Sequence, residues 1–522
     1  MKTFYSLIFL AFVFTDSLFA QAGKPDSSFG TNGQVVTSFD MQQAFLNTGA
    51  LLPDGRIIAG GSVGELYSDT NVLIQYKANG KLDLSFGSGG VSKTSLGNKA
   101  SAINALALQQ DGKIVTAGYY GNSGLTNLSV VRYNKNGVID FSFGNNGVVL
   151  LSYFKNKVKG NSIAVQPDGK IVVAGSISQG SVDDPTSGIM VARLNINGSL
   201  DSSFNLTGIK LVRLGVVCGA GGIKVLNDGK ILLAAYSFAY KDTTTNYTVI
   251  KFNANGKEDL SFGKNGIAVA PFRAQGYAVV NAIAVQKDGK IVLGGALDKV
   301  YITSTDFGIV RFNATGSIDS SFGNNGSVLT DFGGFDYVNS LALQADGKII
   351  AAGVNRYNGL SYFALSRYNK NGKLDISFGS NGKVLTGFVN FQNKKVDGAN
   401  VVLLQPDETI LALGNANRMN LDRNSFALAK YLNDVVRNNA PITSSITVKL
   451  SPNPVINSIY IEGLHADSKT VLTITDQAGN VFKQITVTEA NYNWNIADLK
   501  SGFYYLVIQN NYRKTSFSII KQ

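Results

Sequence analysis

The stretch DGKIVTAG at residues 111–118 belongs to a sequence unit that recurs along the chain. The same unit contains RYNKNG at residues 132–137 and SFGNNGVV at residues 142–149. Successive phenylalanines of the SFG element are 57, 57, 61, 58, 60 and 56 residues apart, and they are Phe29, Phe86, Phe143, Phe204, Phe262, Phe322 and Phe378. A near-constant period of this length indicates a tandem array of one supersecondary unit.

One unit predicts four short strands. Apolar, β-branched and aromatic residues favour strands at 103–109 (strand A), 114–118 (B), 129–133 (C) and 148–151 (D). Asp-Gly and Asn-Gly dipeptides separate these runs and accept the positive φ angles of tight turns. Each unit is therefore expected to form a small antiparallel sheet.

Seven such sheets can bury both of their faces by packing around an axis. The predicted fold class is all-β, a seven-bladed β-propeller of four-stranded antiparallel blades at residues 25–433, followed by a small C-terminal β-sandwich. An open β-solenoid is the alternative, although its coils are usually shorter, about 20–30 residues. The chain opens with a lone D strand at Gln34–Ser38 and its last unit holds only A, B and C. We therefore predict that the N-terminal D strand completes the seventh blade.

The scarcity of cysteine and histidine excludes several classes of functional site. The chain has one cysteine, Cys218, and one histidine, His465, which lies outside the repeats. An intramolecular disulfide is impossible, and so are a Ser-His-Asp or Cys-His arrangement and a histidine-rich metal site within the repeats. Cys218 lies in an apolar stretch and is expected to be buried.

The N-terminus predicts export. Residues 1–20 combine Lys2 with an apolar stretch from Phe4 to Phe14, and small residues near Ala20 suit cleavage, as in a secretory signal peptide. A membrane anchor is the alternative, but the segment is short for a span. The net charge is +12. Because export is indicated, this charge does not predict a nucleic-acid partner.

The repeats resemble the delta-60 family of tandem repeats found in exported bacterial proteins and, more loosely, NHL-type propeller repeats. The resemblance covers residues 25–433 and implies no catalytic motif. Two copies depart from the pattern, at Asp407-Glu408-Thr409-Ile410 and at Ser203-Phe204-Asn205. The matching elements are the SFG motifs and the turns Asp111 to Ile114, Asp168 to Ile171, Asp288 to Ile291 and Asp346 to Ile349.

The connections between strands divide the predicted disk into two faces. The A–B and C–D connections are alike in every unit and define the uniform face, whereas the B–C and D–A connections vary and define the variable face. Binding usually resides in variable loops on a rigid scaffold, and tyrosine offers a flat apolar ring with a polar tip. The candidate ligand-binding residues are Tyr119, Tyr120, Tyr153, Phe272, Arg273, Tyr337, Arg356 and Tyr357. Packing of these aromatic residues within their own loops is the alternative.

The uniform face carries a cation at the start of strand B in six units: Arg56, Lys113, Lys170, Lys230, Lys290 and Lys348. An aspartate precedes every Ser-Phe element at the same face: Asp26, Asp83, Asp140, Asp201, Asp259, Asp319 and Asp375. The opposite signs mostly cancel, and an aspartate at this position can cap the backbone of a tight turn. A structural role is therefore favoured over a polyanion site.

Catalysis is the weaker prediction, and no catalytic residue is assigned. A glycosidase needs two carboxylates about 5–10 Å apart, and Asp183 with Asp184, or Asp331 with Asp336, could supply them. No calcium-binding loop of the Asp-x-Asp-x-Asp-Gly type occurs. We accordingly predict no metal and no cofactor.

After Leu432, residues 434–443 have the polar composition of a linker, and residues 444–522 show alternating strands typical of a β-sandwich. This segment resembles the type A sorting domain of the type IX secretion system. The resemblance implies partners in the secretion machinery, passage through the periplasm, removal of the domain, and a secreted or outer-membrane surface location. The matching elements are Leu450 to Val455, Asp476 to Val481, Asp498 to Tyr505 and Lys514 to Gln522.

The function predicted from the sequence is a non-catalytic surface scaffold that binds a glycan or a surface protein. A secreted polysaccharide hydrolase or lyase that uses carboxylates of the variable face is the alternative, and a purely structural surface component is a third. Residues that repeat are explained by turns and packing. Any specific function is therefore expected in the residues that do not repeat.

Overall fold

The computed structural model describes residues 22–522 apart from 40–41, 66–68, 123, 155, 179–186, 216, 240–243, 273–277, 299–303, 389–397, 419–422, 434–448, 465–469, 477–480 and 510–513. Two compact units divide the chain, one within residues 20–434 and the other within residues 435–522. The predicted signal peptide, the linker, Asp183, Asp184, Arg273 and His465 lie outside the described residues. Within the described part, no helix is long and apolar enough to cross a membrane.

The first unit contains β1 to β28. The opening strand is β1 (Gln34–Thr37). Six groups of four strands follow. Group 1 contains β2 (Gln43–Leu51), β3 (Ile57–Gly64), β4 (Thr70–Tyr76) and β5 (Val91–Thr94), and group 2 contains β6 (Ala100–Leu108), β7 (Ile114–Gly121), β8 (Thr126–Tyr133) and β9 (Val148–Leu151). Group 3 contains β10 (Lys157–Val165), β11 (Ile171–Ser178), β12 (Gly188–Leu194) and β13 (Ile209–Val212).

The other three groups have the same composition. Group 4 contains β14 (Val217–Val225), β15 (Ile231–Ala239), β16 (Thr244–Phe252) and β17 (Ile267–Phe272), and group 5 contains β18 (Ala278–Val285), β19 (Ile291–Asp298), β20 (Thr305–Phe312) and β21 (Ser327–Thr330). Group 6 contains β22 (Phe335–Leu343), β23 (Ile349–Tyr357), β24 (Leu360–Tyr368) and β25 (Lys383–Thr386). The remaining strands are β26 (Gly398–Leu404), β27 (Ile410–Arg418) and β28 (Arg423–Tyr431).

Each group is an antiparallel meander in the order A, B, C, D. The last three strands form a sheet with the first strand of the chain, in the order β1-β28-β27-β26, and we call this sheet group 7. Gln34 lies opposite Ala429 and Thr37 opposite Phe426 in this pairing. The N-terminal strand therefore takes the D position beside the last C strand.

The core lies between neighbouring groups. Strands B and C are buried on both faces, and consecutive residues enter different clusters: Ile57 packs with Leu413 and Phe426 of group 7, whereas Ile58 packs with Ile103 and Ile114 of group 2. This two-sided burial explains why these strands read as continuous apolar runs rather than as alternating patterns. Groups 7 and 1 share a cluster of the same kind as the other neighbours.

Strand B is longer than predicted in the second group. The prediction ended strand B at Gly118, but β7 continues to Gly121. Gly118 lies opposite a β-bulge in strand A, between Ile103 and Ala105, and a Cβ at this glycine would overlap the carbonyl oxygen of Ala102. The glycine is required by the close approach of two backbones and does not end the strand.

The bulge residue of strand A is asparagine in six groups and glycine in group 4: Asn47, Asn104, Asn161, Gly221, Asn281, Asn339 and Asn400. Several of these amides donate to the next group. Asn339 Nδ2 lies 3.0 Å from the carbonyl oxygen of Ala399, and Asn400 Nδ2 lies 2.6 Å from that of Leu46. The last hydrogen bond joins group 7 to group 1. Each such bond satisfies a polar group left unpaired by a bulge.

In groups 1 to 5 and in group 7, the phenylalanine of the Ser-Phe element packs beneath a glycine turn of the following group. Phe86 is 1% exposed, and a Cβ at Gly137 would lie 2.6 Å from its Cζ. Gly137 also has φ +83°, which disfavours other residues. Phe29 of group 7 lies in the same way against Gly80 of group 1, 2.9 Å from the Cβ position of that glycine.

The second unit consists of two antiparallel sheets. One contains β29 (Lys449–Ser451), β30 (Ser458–Glu462) and β33 (Asn491–Asn495). The other contains β31 (Thr470–Thr475), β32 (Val481–Val487), β34 (Gly502–Gln509) and β35 (Lys514–Lys521). Side chains of both sheets form one cluster, and Trp494 is buried in it, as predicted.

Candidate functional site

The charged residues of the uniform face hold the turns together. Asp140 Oδ2 accepts from Arg132 Nε at 2.8 Å and pairs with Lys113 Nζ at 3.0 Å, while Oδ1 accepts from Ser142 Oγ at 2.7 Å. Burial alone would raise the pKa of Asp140, but the bonds from Ser142 and Lys113 and the charge of Arg132 hold it well below its usual range. The repeated aspartates and lysines therefore serve the fold, as predicted.

The predicted ligand-binding residues lie mainly on strand ends rather than in loops. Tyr119 and Tyr120 belong to β7, Tyr337 to β22, and Arg356 and Tyr357 to β23. The loop assignment was wrong because strands B and A extend past the bulge towards the variable face. Tyr153 does lie in the connection between β9 and β10. Phe272 ends β17, opposite Thr245.

Group 6 brings three of these residues together. Arg356 stands opposite Phe335 in the β22–β23 ladder, and its guanidinium lies 5.7 Å from the centre of the Tyr337 ring. Phe335 is 46% exposed and Tyr357 is 55% exposed. The open end of this hairpin therefore presents one exposed ring, Phe335, beside a cation that is held against a second ring, and a third ring, that of exposed Tyr357, follows on the opposite face of the strand.

Three carboxylates lie at the same end of groups 5 and 6. Carboxylate oxygens of Asp306, Asp331 and Asp336 are all within 4.8 Å of one another. Asp306 is the second residue of β20, Asp331 follows β21, and Asp336 lies in β22. Because β20 and β22 adjoin through a parallel bridge between Thr305 and Phe335, residues of two groups meet here.

Asp336 organises the turn that precedes β22. It is fully buried, and its oxygens accept from the Phe332 amide at 2.6 Å and from Asn355 Nδ2 at 2.7 Å. Burial raises the pKa of Asp336 to about 6; those two hydrogen bonds oppose the shift, and the charges of Asp331 and Asp306 add to it. Gly334 lets the turn close, because a Cβ there would overlap the carbonyl oxygen of Arg356.

The carboxylate cluster can be compared with what catalysis or a metal would need. Oxygen ligands suit a hard cation, but Ca²⁺ takes six to eight of them, more than three carboxylates supply if each gives one oxygen. A proton donor near neutral pH needs a raised pKa, which Asp336 has, but also access to substrate. Both oxygens of Asp336 are engaged within the protein, which favours a structural role in shaping the site.

A second cation and tyrosine pair lies between groups 2 and 3. Lys159 Nζ lies 4.6 Å from the centre of the Tyr119 ring. Burial lowers the pKa of Lys159, and the charge of Lys157 lowers it further. Nearby, Arg213 Nη2 donates to the Tyr153 hydroxyl at 3.2 Å.

The sequence prediction missed Asp306, Lys157, Lys159 and Arg213. Lys159 and Tyr337 hold the same position in their units, two residues before the bulge of strand A. Alignment of the units on the bulge asparagines would have exposed this shared position. The contact between Lys159 and Tyr119 joins residues of different units, and it carries no sequence signal of its own.

The fold and its two unlike faces define the class, which is an all-β protein of propeller-like repeats with a separate C-terminal β unit. A domain of unknown function, DUF5122, described as a β-propeller, matches six stretches: residues 52–86, 109–143, 166–204, 226–262, 286–322 and 344–378. A secretion system C-terminal sorting domain matches residues 449–522. The chain thus carries DUF5122 repeats and a type IX sorting domain, which confirms the two resemblances.

The matched repeats number six rather than the predicted seven. The N-terminal SFG element at Phe29 and the last unit, with its altered Asp407 turn, lie outside the six stretches. The sorting domain implies secretion, delivery to the cell surface or outer membrane, and interaction with the secretion machinery.

No match is found among curated proteins. Solved structures give distant similarity. PorZ, a surface component of the type IX secretion system of Porphyromonas gingivalis, is 13% identical with a TM-score of 0.38, over 90% of this chain and 58% of PorZ. The polysaccharide lyase Uly1 is 10% identical with a TM-score of 0.44, over 74% and 90% of the two chains. An α-L-arabinofuranosidase of Fusarium graminearum is 10% identical with a TM-score of 0.37, over 79% and 96%.

Proposed function

We propose that this chain is a non-catalytic surface scaffold that binds a glycan at its variable face. The observation that carries the proposal is the open end of the β22–β23 hairpin, where exposed Phe335 stands opposite Arg356 and the guanidinium of Arg356 lies over the Tyr337 ring on the same face of the sheet. Exposed Tyr357 follows Arg356 in the strand. Aromatic rings offer flat apolar surfaces that suit sugar rings, and strand ends fixed by a packed core hold them in place. A surface protein is the alternative ligand.

A glycan array tests this proposal. Wild-type protein is compared with Tyr357→Ala and Arg356→Ala, and the matched control is Phe141→Ala, which removes a ring that is 67% exposed on the uniform face. We expect loss of glycan binding in the first two variants and retention in the control. Equal binding by all four proteins would contradict the proposal, and retention of a surface protein without any glycan would favour the alternative ligand.

A second candidate function is a secreted polysaccharide hydrolase or lyase. It is favoured by Asp336, whose pKa of about 6 suits a general acid. Asp331 supplies a second carboxylate, although its oxygen lies within 4.8 Å of that of Asp336, closer than the about 5–10 Å typical of glycosidases. Product release from a panel of polysaccharides is measured for wild type, Asp336→Asn and the control Asp346→Asn on the uniform face. Release that only Asp336→Asn abolishes would support this candidate, and absence of release from every substrate would refute it.

We propose a finer architecture as well: groups 1 to 7 are seven blades of a closed ring within residues 25–433, residues 434–443 are a linker, and residues 444–522 are a β-sandwich. Ring closure is supported by the pairing of β1 with β28 and by the hydrogen bond from Asn400 to Leu46. The sandwich is supported by the single cluster that two sheets share.

We also propose the route: cleavage after residues 1–20, passage through the periplasm, and recognition of residues 444–522 by the secretion machinery. The sorting-domain match at residues 449–522 supports the last of these steps. Deletion of residues 444–522 is expected to leave the protein in the periplasm, as measured by fractionation. Surface delivery of the truncated chain would refute the assigned role of this segment.

A further inference from the structure

Three cations of the variable face are held against tyrosines. Lys159 lies over the Tyr119 ring, Arg356 lies over the Tyr337 ring, and Arg213 donates to the Tyr153 hydroxyl. Arg213 and Arg356 are exposed, and Lys159 reaches the surface although part of its side chain is buried. Among the residues that the structure describes, none of these cations forms an ion pair with a carboxylate. Their positive charges are thus fixed in place and available to a ligand.

The cations at the start of strand B on the uniform face behave differently. Lys113, Lys170, Lys230, Lys290 and Lys348 each lie within 3.1 Å of a repeat aspartate. Those charges are neutralised within the fold. The cations of the variable face have aromatic partners instead, and an aromatic ring orients a cation without cancelling its charge.

The two ring-stacked pairs lie at related places in the fold. Lys159 and Tyr337 both stand two residues before the bulge of strand A, next to the asparagine positions. Lys157 lies two residues further towards the same face and carries another charge. Its charge contributes to the lowered pKa of Lys159, after the larger effect of burial, and the carboxylate of Asp69 acts on the Tyr119 ring of the same pair.

We propose that the variable face binds an anionic polysaccharide, with carboxylate or sulfate groups paired to Lys159, Arg213 and Arg356 and sugar rings stacked on exposed faces of the neighbouring aromatic residues. This assignment rests on the proposed glycan-binding function and specifies its ligand class. Arginine suits planar bidentate recognition of oxyanions, and lysine supplies a point charge.

The test is isothermal titration of the full exported protein with polygalacturonate, a sulfated galactan and a neutral galactan, at about 50 mM and about 300 mM NaCl. We expect the two anionic polymers to bind, the neutral galactan to bind at least about tenfold more weakly, and added salt to weaken the anionic complexes. Lys159→Ala with Arg356→Ala should lower affinity about tenfold or more. Tyr337→Phe should retain affinity that Tyr337→Ala loses.

The matched control is Lys81→Ala with Lys135→Ala, which removes two exposed lysines from turns of the uniform face. An equal loss of affinity in this control would overturn the proposal, because binding would then reflect net charge alone. Thermal melting verifies that each variant is folded.

Two further probes separate other ligand classes. Tighter binding of polyglutamate or of oligothymidylate than of the anionic polysaccharides would overturn the proposal in favour of an acidic protein or a nucleic acid. Preference for the neutral galactan would refute the anionic class while leaving glycan binding intact. Failure of every saccharide to bind would refute both the ligand class and the proposed function.

Discussion

Phe29 provides a direct test of ring closure. Its side chain is 1% exposed, and it lies between the N-terminal strand of group 7 and Gly80 of group 1. Phe143 is the equivalent residue inside the array, packed against Gly198, and it is 0% exposed. If the N-terminal segment closes the ring, truncation of either phenylalanine should cost the same free energy of unfolding.

The expected magnitude follows from the burial of both rings. Phe→Ala at a buried site costs about 3–5 kcal/mol, through lost transfer free energy and the cavity that remains. A terminal segment that frays from the fold would contribute close to nothing, because its local opening free energy is near zero. The two hypotheses therefore differ by several kcal/mol at Phe29, whereas both predict the full cost at Phe143.

Urea unfolding followed by far-UV circular dichroism measures these differences. The chain has one tryptophan, Trp494, which belongs to the C-terminal unit, so its fluorescence reports on the other unit and serves as an internal control. We expect similar shifts of the main transition for Phe29→Ala and Phe143→Ala, with the Trp494 transition unchanged. A wild-type midpoint for Phe29→Ala beside a large shift for Phe143→Ala would refute closure.

Two further predictions concern the turns and the buried carboxylate. Gly137→Ala places a Cβ 2.6 Å from Phe86 Cζ at a residue with φ +83°, whereas Gly112→Ala, at φ +82°, makes no contact closer than 3.6 Å. Because only the first variant adds a clash to the backbone strain, it should destabilise the protein by about 2 kcal/mol more than the second. Equal urea midpoints for the two variants would contradict this expectation. Because the pKa of Asp336 is raised from 3.8 to about 6 in the folded state, that state keeps a proton which the unfolded state has lost, so stability should fall by about 3 kcal/mol as pH rises from 4 through 6. Urea titrations of Asp336→Asn should lack this decrease, and an identical decrease in the variant would show that another group causes it.

The repeat period and the turn dipeptides predicted most of the fold. The order of strands followed from them, and the D strand Val148–Leu151 was predicted at its observed bounds. The ends of strands A and B were not predictable in the same way. The glycine that closes the Lys-Ile-x-x-Ala-Gly pattern looks like a terminator in sequence, but its reason is the bulge on the neighbouring strand. That reason becomes visible only when the two backbones are paired.

The candidate site was partly predictable. Tyr337, Arg356 and Tyr357 were named from the sequence and lie on one hairpin. The contacts that organise them involve residues distant in sequence, such as Asp306 with Asp336 and Lys159 with Tyr119, and such pairs depend on how groups pack. A prediction made within single units cannot contain them.

One position in strand A shows where the scaffold permits function. Two residues before the bulge, the seven groups carry Phe45, Ala102, Lys159, Gly219, Val279, Tyr337 and Gly398. The bulge fixes the backbone at this position in every group, yet its side chains range from glycine to lysine. At the uniform face the equivalent variation is absent, because each aspartate is committed to a turn. A position whose backbone is fixed while its side chain varies is suited to ligand recognition. Substitutions at Lys159 and Tyr337 should therefore change which ligand is bound more than they change the free energy of unfolding.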